Sequence, residues 1–341
     1  MNIIVTASHV PFMRGGAEYH IENLTKALIS AGHSVELVRF PFKFSPESFI
    51  ESQMDYCENL DFNGFNGISI DRVISLQFPA YGVRHDAHRV WVMHQHRAVY
   101  DLFDSQPESK KLLSLQEKVT RYDTKVLGRA EKLFANSQNV ADRLHRYNGL
   151  DAEPLYHPPP NSESFYTEDS WGYIFYPSRL ETLKRQQLLI ESACYLKSDA
   201  KILIAGEGGQ LEVYKKLIET LGLGDRVRLI GRVSESEKRT LYARSLGVFF
   251  GPYDEDYGYI SLEAMLSGKP VITCTDSGGP LEFVRDSDTG FVCAPDPHEI
   301  AEAIDKLYSN PSKARDMGQA GCEQIAAMDL NWSRVVETLL K

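Results

Sequence analysis

Short apolar, β-branched runs alternate along the chain with longer amphipathic stretches. In the first half the strand candidates are 2–7, 34–39, 72–76, 89–94 and 132–136; in the second they are 173–177, 201–205, 226–230, 246–250 and 269–273. Such runs read as parallel strands covered on both faces, which need not alternate polar with apolar residues. Between them the 3.6-residue period predicts helices over 16–31, 110–130, 138–147, 184–196, 209–221, 235–244 and 260–267. Strand and helix alternating over a whole chain predict an α/β fold of doubly wound parallel sheets. The alternation breaks once, at His157-Pro158-Pro159-Pro160-Asn161-Ser162-Glu163-Ser164. Proline fixes φ and lacks an N–H, so this stretch is expected to be neither helix nor central strand. The expectation is two Rossmann-like domains. Ligands bind such sheets at the carboxyl ends of the strands, so two of them would enclose one cleft.

Composition narrows the class. A length of 341 residues suits two domains. With 37 basic and 47 acidic side chains the net charge is −10, which excludes a generally basic nucleic-acid binder. No apolar run approaches the ~20 residues of a membrane span. The N-terminus runs straight into a strand, so no signal peptide is expected and the chain reads as cytoplasmic. Cys57, Cys194, Cys274, Cys293 and Cys322 are scattered and form no CxxC, which predicts reduced thiols rather than disulfides or a zinc site. The charge is uneven: residues 84–146 carry net +4, whereas 1–83, 147–171 and 172–341 carry −4, −5 and −5.

Four stretches could carry chemistry. Arg14-Gly15-Gly16-Ala17-Glu18 follows the first strand and opens a helix. Paired glycines admit a ligand to the backbone and a helix start attracts phosphate, although a plain strand-to-helix turn explains it equally well. No G-x-G-x-x-G spacing follows a strand, which weakens a nicotinamide reading. Next, Arg179 closes the first strand of the second half and Lys184 stands at the following helix start. Cations are disfavoured at that helix end, so the pair asks for an anion such as a diphosphate, against the plainer reading of solvated charge. Third, Asp254, Glu255 and Asp256 precede Tyr257-Gly258-Tyr259-Ile260, and a helix beginning near Tyr259 carries Glu263. Helix-dipole complementation explains Glu263 alone but not three acids after an apolar strand. Fourth, His94 and His96 in His94-Gln95-His96-Arg97 share a face of an extended chain. A third metal ligand is not evident, so a hydrogen-bonding histidine at the cleft is expected instead. His9, His20, His33, His96 and His145 read as structural.

Taken in order, Gly15-Gly16-Ala17-Glu18, His94 with Arg97, Ala135-Asn136-Ser137, the prolines, Arg179 with Lys184, Gly206-Glu207-Gly208, Gly231-Arg232, Glu255-x7-Glu263 and Gly278-Gly279-Pro280-Leu281-Glu282 span nearly the whole chain. This array resembles the retaining GT-B glycosyltransferases of family GT4 (glycosyltransferase group 1). The resemblance implies an acceptor-side domain over 1–157, with a helix at 329–341 crossing back to it, and a donor-binding domain over 162–328. It implies that Glu263 binds the donor ribose and that Arg179 and Lys184 hold the diphosphate as it leaves. It implies that Glu255, with the backbone of Asp256, Tyr257, Gly258, Tyr259 and Ile260, holds the donor hexose. Gly15 and Gly16 would close over the diphosphate, His94 would sit near the sugar, and Gly231-Arg232 would read the base. A metal-independent, retaining transfer follows, with no metal ion and no cofactor beyond the UDP-sugar donor.

The chain departs from the family at one point: Asp256 stands where the family has glycine after the first glutamate, adding a carboxylate near the hexose hydroxyls. UDP-glucose is the first choice of donor, with GDP- and ADP-sugars open. The acceptor is expected to be a glycan or lipid-linked acceptor of cell-surface polysaccharide biosynthesis. The rivals are a GT-B sugar-nucleotide epimerase or phosphorylase and a non-catalytic nucleotide-sugar-binding protein. Lys110, Lys111, Lys118, Arg121, Lys125, Arg129 and Lys132 crowd one expected helix over 110–132, against Glu117, Asp123 and Glu131. That helix reads either as an ordinary amphipathic surface element or as a peripheral contact with anionic membrane on its inner face.

Overall fold

The computed structural model describes residues 1–12, 15–103 and 109–341; Arg14 of the first glycine motif lies outside them. The chain divides into two compact units, Met1–His157 with Asn331–Lys341, and Pro158–Leu330.

In the first unit β1 (Asn2–His9), β2 (Ser34–Pro41), β3 (Arg72–Ser75), β4 (His88–Val92), β5 (Lys132–Ala135) and β6 (Glu153–Pro154) form a parallel sheet in the order β2-β1-β3-β4-β5-β6. Its helices are α1 (Gly16–Ser30), α2 (Glu47–Asn59), α3 (Lys110–Leu127) and α4 (Gln138–Asn148). β4 is buried along its whole length, and its side chains alternate between two cores. Val90 and Val92 pack with Leu115, Val119 and Val126 of α3 and Leu144 of α4. Trp91 points the other way, among Ile21, Leu24 and Leu28 of α1 and Val335, Val336 and Leu339 of the chain's last helix, Trp332–Leu340. The Trp91 ring also meets His20 at 4.1 Å, His157 at 5.3 Å and Trp332 at 6.4 Å. Burial in this apolar site pulls His20 down to about 3 and His157 well below the usual range, the charge of His20 adding to the effect on His157.

In the second unit β7 (Tyr173–Pro177), β8 (Lys201–Ala205), β9 (Val227–Gly231), β10 (Gly247–Phe249), β11 (Val271–Cys274) and β12 (Gly290–Cys293) build a second parallel sheet. Its order is β12-β11-β10-β7-β8-β9. The helices are α5 (Gln186–Ser192), α6 (Leu211–Thr220), α7 (Glu235–Arg244), α8 (Tyr259–Leu266), α9 (Pro297–Ser309) and α10 (Pro311–Met328). The strand order reverses between β7 and β10. Loops leaving the carboxyl ends of two such strands diverge and open a crevice, the usual ligand position in this architecture.

Several elements differ from the sequence expectations. β4 ends at Val92, so His94 lies beyond the strand instead of closing it. The expected helix 184–196 is shortened, because Thr182–Lys184 is a 3-10 turn and Arg185 takes φ 51, outside helical space. The basic helix stops at Leu127, leaving Arg129 past its cap and placing Lys132 in β5. Pro158 and Pro159 are buried, and the polar end of that stretch forms a 3-10 turn, Ser162–Ser164. β6, β12, α2, α9 and α10 fall outside the sequence candidates. α9 and α10 do carry local start signals: Asp296 accepts from the His298 and Glu299 N–H groups, Asn310 accepts from the Lys313 N–H, and each precedes a proline.

Candidate functional site

The site in the second unit is assembled from three loops at its strand reversal. The turn after β7 carries Lys184, the loop after β10 carries Glu255, and the loop after β11 carries Asp276 to Gly279. Lys184 Nζ donates to Glu255 Oε2 at 2.5 Å, with the side chains 15% and 23% exposed. A pair this far from bulk water is screened much less than a surface ion pair. The Phe250 ring lies 5.8 Å from the same ammonium and adds a cation–π contact.

The neighbouring residue, Arg185, fixes the frame. Its guanidinium donates to both oxygens of Asp276, at 2.6 and 2.9 Å. It also donates to the carbonyls of Gly251 and Pro252, at 2.9 and 2.8 Å. A bidentate fork constrains direction as well as distance, so one side chain ties all three loops. Backbone bonds complete the join. The Tyr253 N–H reaches Leu183 O at 2.8 Å, the Glu255 N–H reaches Ser277 O at 2.8 Å, and the Gly279 N–H reaches Glu255 O at 2.7 Å. The buried Tyr176 hydroxyl donates to the Lys184 carbonyl.

Two glycines are sterically required here. Gly258, at φ 95, caps the start of α8, and a Cβ on Gly279 would stand 2.6 Å from Tyr257 O. Tyr257 is buried, its ring 5.6 Å from Phe283 and 5.2 Å from Tyr259. Asp256, Tyr259 and Ile260 are partly exposed, and the segment 256–260 runs into the positive end of α8.

Glu263 lies on α8 with its carboxylate buried. Lys238 Nζ donates to Oε1 at 3.0 Å and the Tyr242 hydroxyl to Oε2 at 2.8 Å. Both donors come from α7. Burial, with Glu263 beside it, keeps the Tyr242 phenol protonated well above its ordinary range. Arg179 is exposed and pairs with Glu181 at 2.7 Å. Arg232, exposed, follows Gly231 at the end of β9.

Gly15, Gly16 and His94 belong to the first unit. Gly15 is extended (φ −174) and caps α1. A Cβ on it would meet nothing within 4 Å, so packing does not demand glycine there. His94 Nδ1 lies 3.0 Å from Gln95 O. A carbonyl only accepts, so Nδ1 carries a proton in this contact, and in the Nδ1–H tautomer Nε2 is the acceptor. The strand ends at Val92, before His94, so the extended stretch on which His94 and His96 were expected to share a face is not formed. His96 is buried, its ring 5.3 Å from Phe78, and burial with His94 nearby lowers it to about 4. It is a neutral core residue. Arg97 is paired with Asp101, and Ser137 caps α4 by accepting from the Val140 N–H. Among the described residues no group of three or more His, Cys, Asp or Glu side chains is placed to hold a metal ion.

The basic stripe is partly neutralised. α2 brings Glu51 to Lys118 at 2.8 Å and Glu58 to Lys125 and Arg129. Asp123, read from sequence as a surface acid, is buried and accepts from the Tyr81 and Tyr100 hydroxyls, both at 2.7 Å. Burial raises it to about 7, with the two tyrosine hydrogen bonds opposing. No helix among the described residues is long and apolar enough to cross a membrane.

The residues missed by sequence reasoning are Arg185, Asp276, Lys238, Tyr242 and Tyr176. The local signals were slight: Arg185 adjoins Lys184, and Lys238 and Tyr242 stand four apart on a helix opened by a Ser234/Glu237 capping box.

Residues 165–324 match the family described as Glycosyl transferases group 1, so the resemblance drawn from the motifs holds for this segment. Human alpha-1,3/1,6-mannosyltransferase ALG2 is 40% identical over 107 residues, covering 31% of this chain and 26% of that protein. The curated relatives are spanned only in part, from 26% to 58% of their length. Among solved structures, sucrose-phosphate synthase from Thermosynechococcus elongatus superposes with a TM-score of 0.79 at 18% identity, over 99% of this chain and 97% of that one. Anabaena Alr3699/HepE in complex with UDP-glucose superposes with a TM-score of 0.73 at 18% identity, over 100% and 98%. These two likenesses are of fold, and the fold is that of the GT-B glycosyltransferases.

Proposed function

We propose that this chain is a glycosyltransferase that moves a hexose from a nucleotide sugar, with UDP-glucose as the first candidate, onto a glycan or lipid-linked acceptor. The observation that carries the reading is the Lys184–Glu255 pair at 2.5 Å, held by the Arg185 fork where the strand order reverses. The group 1 match over 165–324 and the UDP-glucose complex of a protein of the same fold support it.

Breaking a glycosyl–phosphate bond leaves negative charge on the diphosphate and positive character on the sugar. Lys184, Arg179 and the start of α8 stabilise the first, because fixed donors need no reorganisation as charge develops. Glu255 offsets the second, as a carboxylate does beside an oxocarbenium-like sugar. In this scheme the diphosphate takes Lys184 from Glu255 as the donor binds. Glu263 takes the ribose, Arg232 lies by the base, and Asp256 meets the hexose hydroxyls. His94 Nε2 is an acceptor able to take a hydroxyl proton of the sugar in a hydrogen bond. The proposal includes retention of anomeric configuration and a transfer that uses no metal ion.

Incubation with a panel of UDP-, GDP- and ADP-sugars and lipid-linked and soluble acceptors tests it, with product mass and anomeric configuration read out. A glycosylated acceptor of retained configuration, formed in the presence of EDTA, is expected. Donor interconversion without acceptor, or binding without turnover, would overturn it.

A further inference from the structure

Glu263 has more partners than a helix-dipole role requires. Its carboxylate is buried near the start of α8, and each oxygen receives one donor from α7: Lys238 on Oε1 at 3.0 Å and Tyr242 on Oε2 at 2.8 Å. Lys238 also touches Glu235, at 3.1 Å, so its ammonium bridges two carboxylates. Lys238 and Tyr242 are four residues apart and project from one face of α7. Both are held in turn. The Tyr242 ring packs against Phe175 at 5.1 Å and Phe165 at 6.0 Å, and the Ser234/Glu237 capping box fixes the start of the helix.

A carboxylate offers about four acceptor positions, two on each oxygen. The α7 donors take one on each. The rotation of the Glu263 carboxylate is thereby set, and one acceptor position remains on each oxygen. Two acceptors side by side on one rigid group match two neighbouring hydroxyls. A monodentate or freely rotating carboxylate has no such preference.

Resting on the nucleotide-sugar reading above, we infer that Lys238 and Tyr242 are positioning residues that orient Glu263 for the vicinal 2′,3′-diol of a ribose, and so make the donor site selective for ribonucleotides over 2′-deoxyribonucleotides. Neither residue need touch the ligand. Their effect is the difference between a carboxylate that accepts two hydroxyls at once and one that accepts either.

The test is a ratio of affinities. Titration calorimetry compares UDP with 2′-deoxy-UDP, and likewise GDP and ADP with their 2′-deoxy forms, on the wild type, Tyr242→Phe and Lys238→Met. The wild type is expected to prefer the ribonucleotide by about tenfold to a hundredfold, the worth of one hydrogen bond to a charged group. Each variant is expected to lose most of that ratio while its affinity for the 2′-deoxy form changes by less than about threefold. Thermal melting in parallel confirms that both variants fold. A merely structural role weakens both nucleotides equally and leaves the ratio unchanged, which would overturn the inference. So would a wild type that binds both forms alike, although the nucleotide-sugar reading would then stand. Absence of binding by any of the three diphosphates would overturn that reading and this inference with it.

Discussion

Replacing Lys184 by methionine separates a catalytic from a structural role for the central pair. Methionine keeps most of the stem and removes the ammonium 2.5 Å from Glu255. Glu255, 23% exposed, then loses its Lys184 partner. A hydrogen bond to a charged group is worth about 1.5–3 kcal/mol net, because desolvation cancels most of the Coulomb attraction. The second unit spans Pro158–Leu330, a size at which 1 kcal/mol moves the melting temperature by about 2–4 °C. Lys184→Met is therefore expected to melt lower by about 3–12 °C. Activity is expected to fall much further than stability. Loss of one preorganised donor to a developing oxyanion costs about 10²–10³ in kcat, or roughly 3–4 kcal/mol of transition-state stabilisation. The assay is initial-rate product formation by mass spectrometry at saturating donor, at a temperature well below both melts. Glu255→Gln serves as the companion variant, since it loses the charge of the pair from the other side. A Lys184→Met enzyme with the expected melting shift but a kcat within about threefold of wild type would refute the reasoning, for the pair would then be a structural clasp.

Three further outcomes follow from the geometry. Arg185→Ala removes a bidentate pair and two carbonyl contacts, so the midpoint of urea unfolding is expected to fall by the equivalent of about 2–4 kcal/mol; Arg185→Lys should fail to restore it, because an ammonium cannot reproduce the fork. The first unit should lose stability on acidification: burial holds His20 and His88 at about 3 and His96 at about 4, so unfolding takes up protons below pH ~6.5, and this stability is present above that pH and drains away as pH falls towards 4. His20→Phe should lessen the slope of unfolding free energy by about 1.4 kcal/mol per pH unit between pH 6 and 4, and an unchanged slope in pH-resolved denaturation would contradict the neutral assignment. Lys110, Lys111, Arg121 and Lys132 remain exposed, so salt-sensitive co-sedimentation with phosphatidylserine vesicles is expected at about 1 kcal/mol per cation; no binding at low salt would remove the membrane contact.

Local pattern carried the fold a long way. β7 and β10 are buried along their length and read as unbroken apolar runs, and helices such as α3 and α4 show their own period. That was enough for an α/β fold of parallel sheets. It failed where an element is two residues long, as in β6, and where a backbone angle intervenes, as at Arg185 with φ 51. The end of β4 was misplaced because Met93 to His96 stay largely buried after pairing stops, and burial alone does not mark the end of a strand.

The residue types of the site were present in the sequence, but their partners were not. Lys184 meets Glu255 across 71 positions, Arg185 meets Asp276 across 91, and Glu263 meets Tyr242 across 21. None of these separations has a period. They arise because the sheet places β7 beside β10 and β10 beside β11, and because α7 and α8 bring two donors to one carboxylate. The sequence by itself determined which residues could be charged, which runs had to be buried, and that strands and helices alternate, since hydrophobicity and backbone preference act over a few neighbours. Tertiary structure decided which charge faces which. It left His94 as an available acceptor while sinking His96 into a ring stack, and turned Asp123 from a surface acid into a buried one held by two tyrosines. The reason is that desolvation and ion pairing depend on distances across the fold, which no local period encodes.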